Sequence, residues 1–270
     1  KKMGRVDKED SFLDYDIQER KRGITIFSKE ISFMYRESQM TFLDTPGHND
    51  FSCEMERTLQ VLDYAILVIS AKDGIQAHTK TIWKLLQTYQ IPTFIFVNKI
   101  DSTYSTQEQL LRNIQKDENF YENISLLNDE LLEKYLNQQM KQEDIQKVIS
   151  LRQMFPIFFG SALKDEGVEE FMEALDLYTC QKEALDILSG IVFKKTFHKQ
   201  KHLTHLKVTG GTLHVKDVIS ESKVDELRIY TGQGYQSVQS ASTGDIVACL
   251  GLDELPIGFT FGNQKQTQQN

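Results

Sequence analysis

An α/β domain with a mostly parallel sheet and helices on both faces, followed by an all-β barrel domain, is the fold class this sequence predicts. Three observations lead there. Short apolar runs rich in β-branched and aromatic residues alternate with stretches of helical periodicity between Met40 and Leu177. Polar motifs recur where those runs end, the position at which open α/β sheets carry their ligand loops. Beyond residue 187 the segments become short and strand-like and are punctuated by Gly210-Gly211, Gly232, Gly234 and Gly244, which suits a small barrel.

A chain of 270 residues has room for two cores, and 40% hydrophobic with 26% charged residues is a globular composition. The expected division is 1–187, 188–262 and a polar tail at 263–270. The apolar runs Tyr64–Ile69 and Thr93–Val97 are too short to cross a bilayer, so no membrane partner and a cytoplasmic location are expected. Cys53, Cys180 and Cys249 lack metal or redox spacing and are expected to be small buried thiols. The net charge of -8 argues against indiscriminate nucleic-acid binding, DNA included, but leaves room for a local basic face on a ribonucleoprotein.

Residues 1–23 carry a dense run of charges, and the pattern turns apolar at Ile24–Phe27 and Ile31–Tyr35, which places Thr25 at a loop-to-strand junction. Met40–Leu43 reads as a strand ended by Asp44 and turned by Pro46-Gly47. Phe51, Met55, Leu59 and Leu62 share a helical face, and Tyr64–Ile69 is a run of the kind buried on both sides of a parallel sheet. A helix over 77–90 containing Trp83 and a strand over Thr93–Val97 follow. Residues 106–152, polar with leucines at helical intervals, predict a helical insertion. Pro156–Phe159 is a strand and Val168–Leu177 a helix; Ile191–Phe197, Leu203–Val208, Thr212–Ile219 and Ile246–Leu250 are barrel strands.

The polar motifs form a set: Arg22-Gly-Ile-Thr25, Asp44-Thr-Pro-Gly-His48, Asn98-Lys-Ile-Asp101 and Gly160-Ser-Ala-Leu163. Guanine presents two donors on one edge, and the Asp101 carboxylate on a loop held by Asn98 can accept both; Lys99 can lay its stem over the base. A base without that donor pair leaves a carboxylate unpaired, a penalty of roughly 1–3 kcal/mol. Backbone amides of Ser161, Ala162 and Leu163 suit the guanine carbonyl oxygen. Asp44, through water, and the Thr25 hydroxyl are the candidate Mg²⁺ ligands, with the Gly47 amide for the γ-phosphate. His48 read alone is more readily a capping or surface histidine, but directly after Asp44-Thr-Pro-Gly47 it is placed to orient an attacking water.

In order and content these four motifs resemble the second to fifth motifs of the translational GTPases, within them elongation factor G and its ribosomal-protection relatives. The stretch Val61–Thr79 looks most like the tetracycline-resistance ribosomal protection proteins, while Ser189–Lys194 and Thr243–Val247 fit the family's second domain. The resemblance implies a P-loop-NTPase-like GTPase domain, a ribosome-bound enzyme with GTP and GDP as substrate and product, and either drug ejection or tRNA–mRNA movement as its work. No Gly-x-x-x-x-Gly-Lys-[Ser/Thr] occurs in residues 1–270. The expectation is that this phosphate loop and its strand precede the sequence or belong between Lys2 and Met3. Two alternatives stand beside protection: an elongation factor G paralogue, and a non-hydrolysing remnant that binds only guanine nucleotide or the ribosome.

Two further features are discounted at this level. His198, His202 and His205 sit in a strand and hairpin pattern, where a period of two keeps three such residues from converging on a metal. Lys194, Lys195, Lys199, Lys201 and Lys207 suit RNA phosphates or a protected barrel edge equally.

Overall fold

The computed structural model describes residues 29–45, 52–115, 141–180, 186–198, 201–231 and 234–262. They fall into two compact units, Leu62–Cys180 and the described parts of Lys1–Val61 with Gln181–Asn270.

In the first unit, Ala65–Ser70 (β3), Thr93–Asn98 (β4) and Ile157–Phe159 (β5) form a parallel sheet in the order β3-β4-β5. Alternation divides β4 cleanly. Ile95 and Val97 face a core with Ile69, Trp83 of helix Ala77–Thr88 (α2), and Leu110 and Ile114 of helix Gln107–Gln115 (α3). Phe94 and Phe96 face the other way, where both pack on Phe171 of helix Val168–Tyr178 (α5), and Phe158 of β5 joins them. Because all five β4 residues from Thr93 to Val97 are buried, helices must cover both faces of that strand; β3, the run expected to be buried on both sides, instead alternates, with Val68 56% exposed. The helix Gln142–Ser150 (α4) closes the 106–152 segment, and its Gln142 and Gln146 amides donate to the Leu177 carbonyl at the end of α5. Residues 116–140, the middle of the predicted insertion, lie outside the described residues.

The second unit contains the hairpin Lys29–Tyr35 (β1) and Ser38–Asp44 (β2), which is a two-stranded sheet of its own. It also contains helix Ser52–Leu59 (α1) and a strand-rich region. Ser189–His198 (β6) and Lys201–Gly210 (β7) pair antiparallel, and Ile246–Leu250 (β14) continues from β7 to Glu226–Tyr230 (β11) and Tyr235–Val238 (β12). Val192, Leu206, Val208, Leu213, Leu227, Val247 and Cys249 fill its core at essentially no exposure. The hairpin is tied to this region by Glu30, which receives a hydrogen bond from His205 Nδ1 at 3.1 Å, and by a bridge between Ile31 and Thr231.

Several expectations are corrected here. The segment 212–219 is two strands, Thr212–His214 (β8) and Val218–Ile219 (β9), because the His214 amide donates to Asp217 Oδ2 and turns the chain. β11 and β12 have no counterpart in the sequence reading, since Glu226 and Arg228 break the apolar character of β11 and Gln236 and Ser237 that of β12. Cys249 is buried, and burial pushes its thiol pKa up, but Cys180 is exposed; the side chain of Cys53 lies outside the described set. Lys207 is 6% exposed and donates to the Val61 carbonyl at 2.8 Å, so it is no surface cation for RNA. His202 and His205, three apart on β7, take opposite sides: His202 is exposed against Phe197, and His205 is buried between Glu30 and Thr196. Trp83 is 1% exposed, a core residue as read from its helix.

Candidate guanine-recognition site

The carboxyl ends of β4 and β5 lie side by side, with Val97 opposite Phe159, so the loops that leave them are neighbours by construction. The first begins at Asn98. Its side-chain oxygen accepts the Lys99 amide at 2.8 Å and the Ala162 amide at 3.0 Å, which joins two motifs 64 residues apart. Lys99 adopts a left-handed conformation (φ 64°), and the short 3-10 turn Ile100–Ser102 that follows carries Asp101. The Ile100 amide donates to the Gly160 carbonyl at 3.2 Å, and the Gly160 amide to the Val97 carbonyl at 3.0 Å.

Residues 160–167 close into a tight loop. The Ser161 amide donates to the Glu166 carbonyl at 2.9 Å, while the Lys164 and Glu166 amides return to the Ser161 carbonyl at 3.0 and 3.1 Å. Close approach explains the glycine at its start. A Cβ on Gly160 would strike the Glu166 carbonyl oxygen and come within 2.7 Å of the Phe96 ring. Gly167, at φ +71°, ends the loop and caps α5 in a conformation that other residues adopt at a cost.

Asp101 ends up beside this loop. Asp101 lies at the surface, its side chain turned against the loop, and Lys164 Nζ stands 3.6 Å from Oδ2. The nearby Ser161 hydroxyl is the largest influence holding the Asp101 carboxyl below its ordinary pKa, with the Lys164 charge acting the same way against partial burial. Ser161 Oγ itself is buried and meets no hydrogen-bond geometry, so Lys164 is the formed contact and Ser161 a close dipole. Of the three amides read as donors to the base, Ser161's goes to Glu166 and Ala162's to Asn98, whereas Leu163's donates to no protein group among the described residues. The Leu163 side chain is 57% exposed, an apolar surface beside the Asp101 loop.

The predicted phosphate and metal side is placed less fully. Asp44 ends β2, half-buried, opposite Lys29. It belongs to the second unit, and a carboxylate at a strand end is a suitable hard donor for Mg²⁺. Thr25, Gly47 and His48 lie outside the described residues. Lys164 is the residue that motif reading missed. It follows the fifth motif directly, and its basic character was the only available signal.

A model of the elongation factor Tu GTP binding domain matches residues 1–181, two thirds of the sequence. The chain belongs to that family. It is 33% identical to a tetracycline resistance protein TetO of Streptococcus mutans over 97% of its own length and 46% of that protein. It is 31% identical to the TetM protein of transposon Tn916 in Enterococcus faecalis, over 99% and 47% respectively. The chain thus spans about half the length of the curated relatives it matches. A crystal structure of a Thermus thermophilus protein superposes with a TM-score of 0.78 over 98% of this chain and 50% of that one, at 17% identity, a likeness of fold. This member of the elongation factor Tu GTP binding family has its candidate base-recognition loops at adjacent strand ends, where the topological rule for such sheets places ligand loops.

Proposed function

We propose that the protein of which this chain forms part is a ribosome-associated GTPase of the ribosomal-protection type, acting in the cytoplasm. The observation that carries the reading is the Asn98 side chain, which pins the Lys99 and Ala162 amides and so sets Asp101 beside the 160–167 loop. In this reading Asp101 accepts the two guanine donors, Lys99 covers one face of the base, and the Leu163 amide is the free donor for the guanine carbonyl, with Ser161 and Ala162 shaping the loop. Asp44 and Thr25 hold Mg²⁺, which neutralises phosphate charge when bound. The Gly47 amide faces the γ-phosphate, and His48 orients the attacking water. The relatives' designation as tetracycline resistance proteins supports the protection type over a translocation role. The domain division proposed with it is 1–187, 188–262 and the tail 263–270.

The test uses the complete protein with ribosomes. His48→Ala is expected to keep nucleotide affinity while ribosome-stimulated GTP turnover falls by about 10²-fold or more, the scale of losing a residue that positions the reacting group. Stimulated turnover at the normal rate in that variant sinks the role of His48. Asp101→Asn is expected to lose about 10-fold or more of its preference for guanine over hypoxanthine in competition binding, since an amide cannot accept from both donors. An unchanged preference sinks the base-recognition site.

A further inference from the structure

One contact of the 160–167 loop rests on the guanine reading and sharpens it: we propose that Lys164 is a specificity-setting residue, one that occupies Asp101 Oδ2 before the base arrives and has to yield it to the exocyclic amine of guanine. Three observations place it there. Its ammonium stands 3.6 Å from Oδ2, the only cation within ion-pair distance of that carboxylate among the described residues. Its backbone is anchored, because the Lys164 amide donates to the Ser161 carbonyl inside a loop closed by the Ser161 and Glu166 bonds. That loop is in turn pinned to the Asp101 loop through Asn98 and through Ile100 to Gly160. The side chain therefore starts from a fixed point, yet it is 53% exposed and can swing into water.

The consequence follows from donor counting. Guanine offers N1–H and the amine to the two carboxylate oxygens, so its amine competes with Lys164 for Oδ2. Hypoxanthine lacks the amine and needs one oxygen, so it leaves the ion pair intact. An exposed pair of this kind is weak, and releasing it costs guanine at most about fivefold in affinity. Lys164 thus weakens guanine binding selectively and compresses the gap between the two bases. It also keeps the carboxylate paired while the site is empty.

Nucleosides make the measurement independent of the phosphates. Titrating guanosine and inosine into the chain, with the Asn98 and Ala162 amide resonances as reporters, Lys164→Met is expected to tighten guanosine about three- to fivefold and to leave inosine unchanged. Lys164→Arg retains the cation and behaves as the parent. In about 0.5 M salt the parent approaches Lys164→Met, because an exposed pair is screened. In the nucleoside-free chain, carbon-detected titration shows the Asp101 carboxyl pKa rising in Lys164→Met. Equal tightening of both nucleosides, no tightening of either, or an unmoved Asp101 titration overturns the proposal and leaves guanine recognition standing, provided Asp101→Asn abolishes the guanosine response. No response of either amide to either nucleoside overturns both.

Discussion

Arg152 carries its charge to the amino end of β4 with no carboxylate against it among the described residues. Its guanidinium donates to the Ile91 carbonyl and to Thr93 Oγ1, and its central carbon lies about 5 Å from the Trp83 and Phe155 ring centroids. Burial alone pushes its pKa down to about 10, so it stays charged at neutral pH and is held by hydrogen bonds and ring faces. Arg152→Ala is expected to cost about 2–4 kcal/mol, from an unsatisfied buried carbonyl and a void between the two rings. Arg152→Met, which refills the slot, loses less; urea unfolding of both variants checks the order. The sequence offered no such reading, because an arginine after a polar helix looks like a surface cation until the rings it covers are known. Asn98 shows the opposite case. Its position in Asn-Lys-x-Asp told its role, and the fold supplied only its second partner, Ala162.

At the scale of elements, β3, β4, β5 and α2 were legible because apolar runs and helical periodicity leave strong marks in sequence. β11 and β12 were not, and the reason is visible in their charges. Arg228 is 6% exposed, bonds Glu226 through Nε and Nη2 at 2.9 and 2.8 Å, and lies 4.2 Å over the Tyr235 ring. Ser237, opposite Arg228 in the ladder, donates to Glu226 Oε1 at 2.7 Å. Polar residues that satisfy one another across two strands erase the alternation a reader looks for. The same cluster predicts a pH dependence. The hydrogen bonds from Arg228 and then Ser237 pull the Glu226 carboxyl from 4.5 down to about 2. A depressed folded-state pKa gives stability that is complete above pH 4.5 and is lost as pH falls toward 2. Glu226→Gln is therefore expected to flatten the acid side of the melting profile of β11–β12 in that window. A profile identical to the parent's removes the cluster from the acid response.

For the whole molecule, the candidate residues fall on both compact units, with the base-recognition set on Leu62–Cys180 and Asp44 on the other. Among the described residues no helix is long and apolar enough to cross a membrane. Residues 1–270 contain no Gly-x-x-x-x-Gly-Lys-[Ser/Thr], the sequence signature of an amide cradle for phosphates, whereas the motifs proposed to contact the base are present. This predicts that guanosine and GDP bind the 270-residue chain with affinities within about tenfold of each other, since the missing cradle is where a diphosphate would gain most. Calorimetry decides it, and nanomolar GDP binding contradicts it. In the parallel sheet β3 is an edge among the described residues, and Val68 on it is 56% exposed, unusual for a strand of this kind.

The sequence by itself determined the fold class, the order of the four motifs and the chemistry each residue type can perform, because hydrophobic period and motif spacing are local properties of a chain. Tertiary structure decided what depends on partners distant in sequence: that Asn98 reaches Ala162, that Lys207 is buried on Val61 and that Glu30 closes on His205. It also set Lys164 against Asp101. These pairings span 63 to 175 residues and follow from strand register and loop closure, which no local pattern encodes.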